Sequence, residues 1–147
     1  MRLPVTTEQF LVEYWQQRPL LCPQALPNFQ SPITAEELAG LAMEPDIESR
    51  MVWQDVGVWH QQAGPFEEQA FQGKAPWTLL VQRVDCFHAG VSALRNTLPP
   101  VPRWRFDDVM VSFATDQAGV GPHFDRYDVF LLQGMGRREW RIGPHCD

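Results

Sequence analysis

Cysteine is scarce in this chain. Cys22, Cys86 and Cys146 are scattered, odd in number and form no C-x-x-C pair. That argues against a disulfide framework and fits a reducing compartment, with the cytoplasm as the expected location. Long apolar runs are missing too, and none approaches the ~20 residues that a membrane span needs. The start, Met1-Arg2-Leu3-Pro4-Val5, has no apolar core of the kind a secretion signal carries. Basic charge is in deficit, with 12 Lys and Arg against 18 Asp and Glu and a net charge of −6. This argues against a nucleic-acid backbone as partner and would steer a basic protein partner. Internal repeats, charge runs and low-complexity linkers are absent. What is present is ordinary for a globular domain or a piece of one: 147 residues, 44% apolar and 20% charged.

Thr6-x-x-Gln9 resembles a capping box, and Phe10, Leu11, Tyr14 and Trp15 follow at helical spacing. That helix should stop before Pro19. Leu20-Leu21-Cys22 reads as a short buried strand. Thr34-x-x-Glu37 opens a second helix through Leu38, Leu41 and Met43, ending near Pro45. Ser49 to Trp53 and Val58 to Gln61 read as strands around an Asp55-Val56-Gly57 turn, and Trp77 to Val81 as another strand. Phe87, Val91, Leu94 and Leu98 give helical spacing over Asp85 to Leu98, which prolines 99, 100 and 102 end. From Trp104 the pattern turns to strand. Val109, Val111 and Phe113 alternate with Met110, Ser112 and Ala114, and Asp128 to Gln133 pairs with Arg138 to Ile142 around a Gly-rich turn. The expected class is α+β: a helical and strand region over 1–103, then an antiparallel β region over 104–147.

The chemistry concentrates in Gly121-Pro122-His123-Phe124-Asp125. A His and an Asp two apart in extended backbone point to the same side. They supply two donors of a 2-His-1-carboxylate site for non-haem Fe(II), whose open face takes a 2-oxo acid and O₂. An isolated H-x-D triplet is equally a surface His beside a solvated Asp. Arg138, just past Gly134-Met135-Gly136, adds weight. In the expected hairpin Arg138, Trp140 and Ile142 share one side, with Glu139 and Arg141 on the other. A guanidinium among apolar neighbours needs a partner, and its planar fork suits the carboxylate of a bound dicarboxylate. The competing reading is a structural ion pair with Asp128 or Asp108. A straight strand from Asp125 to Gln133 would span about 26 Å, so one small ligand could not touch both ends. The chain must therefore bend near Arg126 to Asp128.

Three stretches together resemble the bacterial ribosomal oxygenases. They are Trp104-Arg105-Phe106-Asp107-Asp108-Val109-Met110-Val111-Ser112-Phe113, Gly119-Val120-Gly121-Pro122-His123-Phe124-Asp125-Arg126-Tyr127-Asp128-Val129-Phe130, and Gln133-Gly134-x-Gly136-Arg137-Arg138-x-Trp140-Arg141. Phe10-x-x-x-Tyr14-Trp15-Gln16-x-Arg18-Pro19 and Glu37-Leu38-Ala39-Gly40-Leu41-Ala42 are similar to the same family's lead-in. The resemblance implies a JmjC-type cupin fold, a double-stranded β-helix or jelly roll. It also implies Fe(II) as cofactor with 2-oxoglutarate as cosubstrate, and hydroxylation of an arginine of ribosomal protein L16. On its residues, His123 and Asp125 match two metal ligands and Arg138 the group that grips the far carboxylate of 2-oxoglutarate. Ser112 lies near a hydroxyl-bearing position beside the cosubstrate. Full-length members are expected to be homodimers, with no membrane and no direct nucleic-acid contact.

The resemblance also implies a second His on a strand further along than Asp147. The expectation is a truncated form holding the first half of the barrel and catalytically silent by itself, since a jelly roll closes with about eight strands. The alternative is a non-catalytic cupin-like fragment that binds a protein partner. A third reading, another cupin isomerase or dioxygenase, is disfavoured because it needs no clamp such as Arg138. His145 and Cys146 are not expected to replace the missing ligand, and His60 and His88 are expected to be surface or core residues. The tryptophans are expected in the core. Gly64-Pro65-Phe66 reads as a turn rather than a phosphate loop, since no lysine-bearing helix start follows.

Overall fold

The computed structural model describes residues 1–73, 75–98 and 101–143. The fold is α+β and falls into two compact units. The larger comprises Pro32–Arg95 and Asp107–Pro122; the smaller comprises Met1–Ser31, Asn96–Phe106 and His123–Asp147.

The larger unit is built on a four-stranded antiparallel sheet in the order β2-β1-β3-β4, with β1 Ser49–Asp55, β2 Val58–Ala63, β3 Trp77–Val81 and β4 Val111–Ala114. The turn between β1 and β2 leaves only Val56 and Gly57 unpaired, both at positive φ (46° and 81°). That is the sign required of a tight hairpin whose twist matches its strands. Because side chains alternate, Met51, Trp53, Trp77, Leu79, Val81, Val111 and Phe113 share one face. An α-helix, α2 (Ala35–Met43), covers that face with Leu38, Leu41 and Ala42, and Ile33, Ile47, Phe66, Val84 and Val91 complete the core. The Thr34 hydroxyl accepts from Glu37 N and the Glu37 carboxylate accepts from Thr34 N, which fixes the start of α2 as its sequence requires.

Asp85 to Leu98 is not one helix. A 3-10 turn (Val84–Cys86) is followed by a separate helix, α3 (Ala89–Leu94). His88 stands between them in extended backbone, its Nδ1 accepting from Val91 N, and so restarts the helix as an N-cap. The Asp85 carboxylate is buried and engaged elsewhere, accepting from Arg95 Nη1 at 2.7 Å and from Val109 N at 2.9 Å.

In the smaller unit, α1 (Thr7–Gln9) starts at the Thr6/Gln9 capping box and widens into a π turn over Phe10–Tyr14, with Trp15 N donating to Phe10 O. Gln16, at φ 58°, ends it ahead of Pro19. Phe130 is the hub of an aromatic cluster, 6.1 Å from Trp15, 6.3 Å from Phe106 and 6.5 Å from Phe10 between ring centres. The N-terminal amine donates to Thr97 O and Arg2 N to Ala25 O.

Other strands read from the sequence are not formed. Leu20-Leu21-Cys22 is irregular, with Leu21 83% exposed. Trp104 lies in a 3-10 turn and is exposed, and Trp59 and Trp140 are exposed too, so these three tryptophans are not core. The pairing of 128–133 with 138–142 makes no ladder. Alternation names the face a strand would bury without supplying the partner, and a lone hairpin is marginal in water. Here Val129, Leu131 and Ile142 stay exposed. Among the described residues no helix is long and apolar enough to cross a membrane.

Candidate functional site

The segment that enters the His-x-Asp motif leaves the sheet along its second face. The Thr78 hydroxyl on β3 donates to Gly119 O at 2.9 Å, which ties the segment down. Two residues on, Gly121 takes φ 75° directly against the Trp59 indole of β2. A side chain there would need both a left-handed backbone and space that the ring occupies, so only glycine fits. The sequence signals the tight approach through Gly121-Pro122 but not its partner. Trp59 looks like any strand tryptophan, and nothing in its local pattern announces the contact.

His123 and Asp125 follow and are brought together, Nε2 to Oδ2 at 3.5 Å, both side chains part-exposed. This is the same-side geometry expected of an extended i, i+2 pair. Two donors 3.5 Å apart can both reach one ion, because protein N and O donors bind at about 2.0–2.2 Å. One imidazole nitrogen with one carboxylate oxygen is also a donor set that suits a non-haem iron. Among the described residues no group of three metal-binding side chains is assembled. His145 and Cys146 lie outside the described residues. His60 is exposed on β2, stacked 5.6 Å from Trp53, and His88 serves as the α3 cap, so neither belongs to this pair.

The chain bends at Arg126-Tyr127, where the distance argument requires it to. Beyond the bend, side chains two apart do face one another. The Arg138 guanidinium lies 5.8 Å from the Trp140 ring centre, and Arg141 Nε donates to Glu139 Oε1 at 2.9 Å. Arg138 is half-buried, whereas Arg137, Glu139 and Trp140 beside it are exposed. Of the carboxylates considered for it, Asp128 accepts from Gln16 Nε2 and Asp108 accepts from Arg83 N. Ser112 is half-buried on β4, in the larger unit.

Residues 93–147 match the JmjC domain family. The chain is 45% identical to a ribosomal protein uL16 3-hydroxylase of Escherichia coli (strain K12), over 99% of this chain and 40% of that protein. It is 37% identical to a probable ribosomal oxygenase of Haemophilus influenzae, over 97% of this chain and 36% of that protein. A solved structure of the E. coli ribosomal oxygenase YcfD, in complex with cobalt and 2-oxoglutarate, superposes with a TM-score of 0.79 and 42% identity, covering 86% of this chain and 35% of that one. The resemblance read from the sequence therefore holds along almost the whole chain. The chain spans about two fifths or less of the length of these relatives.

Proposed function

We propose that this chain is part of an Fe(II)- and 2-oxoglutarate-dependent protein hydroxylase that acts on a ribosomal protein, an arginine of L16 by resemblance. The observation that carries the reading is the His123/Asp125 pair, its donor atoms 3.5 Å apart on one side of the segment. It sits inside a JmjC match, and a relative has been solved with cobalt and 2-oxoglutarate. In this reading residues 1–103 are the lead-in and 104–147 open the barrel. His123 and Asp125 hold the metal, and the resemblance assigns the second imidazole further along the family's fold. The bound metal and 2-oxo acid supply the oxidising chemistry. The chain's own part is positional: His123 and Asp125 present one nitrogen and one oxygen together, and Arg138 offers its fork to the far carboxylate of the cosubstrate. Ser112 is assigned a hydroxyl contact beside it. A cytoplasmic location and a homodimeric full-length protein belong to the same reading.

Titration with Co(II), followed by its visible absorption, tests the ligand assignment. Binding should weaken at least about tenfold, a loss of ~1.4 kcal/mol, in His123→Ala and in Asp125→Ala. Unchanged binding in either variant rules out that residue as a ligand. Mixed with Fe(II) and 2-oxoglutarate, the 147-residue chain by itself should release no succinate; turnover would show that the pair is not waiting on a third ligand.

A further inference from the structure

We infer that the free edge of β2 is a strand-addition site for an extended polypeptide segment bearing Lys or Arg. The inference stands apart from the metal-site reading. β2 ends the sheet, and every residue from Val58 to Ala63 is exposed. The direction of its backbone groups follows from the register. Gly64 N donates to Ser49 O, so the pair 49/64 is hydrogen-bonded. In an antiparallel ladder bonded and non-bonded pairs alternate. Val58, His60 and Gln62 therefore spend their N–H and C=O groups on β1, while those of Trp59, Gln61 and Ala63 point outward.

An outward row of unspent backbone groups is a template for another strand, and sheet edges ordinarily block it with charge, proline or a bulge. The segment Val-Trp-His-Gln-Gln-Ala holds no Lys, Arg, Asp, Glu or Pro, and its pairing with β1 runs unbroken from Val58 to Ala63. The other edge strand, β4, is four residues long and half-buried. Only an extended chain satisfies such a row in register.

Charge selects the occupant. Asp55 stands exposed opposite Val58 at one end of the strand, on a chain of net charge −6. Pairing of two copies would bring together two chains of like net charge, which opposes it. A basic segment meets attraction from Asp55 and from the net negative charge. Near the Asp55 end the Trp59 ring, one side of which lies against Gly121, is still 39% exposed and adds aromatic surface for a guanidinium or ammonium group.

The probe is a labelled octapeptide of alternating Arg and Val, with a Glu/Val peptide and an Arg/Val peptide N-methylated at alternate residues as controls. Amide exchange of the 147-residue chain is followed by NMR. With the Arg/Val peptide, the amides of Trp59, Gln61 and Ala63 should slow about tenfold or more while Val58, His60 and Gln62 stay unchanged. Gln61→Pro removes one outward N–H without touching the ladder to β1, as an edge tolerates. It should weaken binding about tenfold, and the N-methylated peptide should fail on the unaltered protein, a test independent of any folding defect. The proposal is overturned if the three outward amides are not protected at saturation, or if the methylated or acidic peptide binds equally well. Protection that rises with protein concentration alone would assign the edge to a second copy and would also overturn it.

Discussion

A Cβ placed on Gly121 would approach Trp59 Cε2 to 2.8 Å. The glycine that introduces the His-x-Asp motif is thus fitted to the flat side of one indole, with a backbone angle few other residues adopt. Gly121→Ala should destabilise the chain by about 1–3 kcal/mol, from backbone strain and contact with the ring together. Urea unfolding measures the loss. Trp59→Ala in the same chain removes the ring but not the angle, so the double variant should recover part of the loss, with a coupling of at least about 0.5 kcal/mol. Strict additivity would show that the ring is not what excludes a side chain at 121.

Val56 is the opposite case. It is a β-branched residue at φ 46°, 95% exposed, at the tip of the β1–β2 hairpin. Such residues resist a left-handed backbone, whereas Asn followed by Gly suits this turn. Val56→Asn should stabilise the chain by about 0.5–1 kcal/mol, read as a rise in the unfolding midpoint. A fall in the midpoint would mean that the exposed valine makes a contact the fold depends on.

Arg138 is tested by geometry rather than charge. Arg138→Ala should weaken 2-oxoglutarate binding in the presence of Co(II) at least about tenfold, and Arg138→Lys should recover only part of it, because an ammonium cannot match a carboxylate with two parallel bonds. Calorimetry on both variants decides. Full recovery by lysine would reduce the role to a point charge.

The cysteines should differ in reactivity. Burial pushes the Cys22 thiol above its ordinary range, while Cys86 is exposed. A raised pKa leaves less thiolate at any given pH, and the thiolate is the nucleophile. Iodoacetamide at neutral pH should therefore modify Cys86 well before Cys22, as peptide mass spectrometry would record. The gap should narrow as the pH rises and Cys22 ionises.

The sequence was legible where a local signal has one meaning. Thr34 with Glu37 gave the start of α2, and Asp55-Val56-Gly57 gave the two strands beside it together with their turn. The His123/Asp125 pairing was legible for the same reason, since it depends only on an extended backbone between neighbours. Signals that depend on a distant partner misled. Leu21 and Leu131 are apolar in strand-like settings, yet both are exposed because no sheet among the described residues of their unit receives them. Helical spacing from Phe87 to Leu98 hid an interruption, because His88 reads as a passenger until its ring is seen capping Val91. The contact of Trp59 with Gly121 joins residues far apart in the chain and could be found only in three dimensions.

The Asp85 carboxylate has a consequence for the order in which the chain assembles. The larger unit breaks off at Arg95 and resumes at Asp107. One carboxylate grips Arg95 at the departure and the backbone of Val109 just after the return. Strands β1, β2 and β3 follow one another closely, so they can pair without closing a long loop. β4 must return after residues 82–110 and pay the entropy of that closure before its ladder repays it. Asp85 joins the ends of that loop directly beside the ladder β4 completes. Its removal should therefore cost about 2–4 kcal/mol, expressed mainly as faster unfolding, with β4 the last strand to arrive and the first to leave.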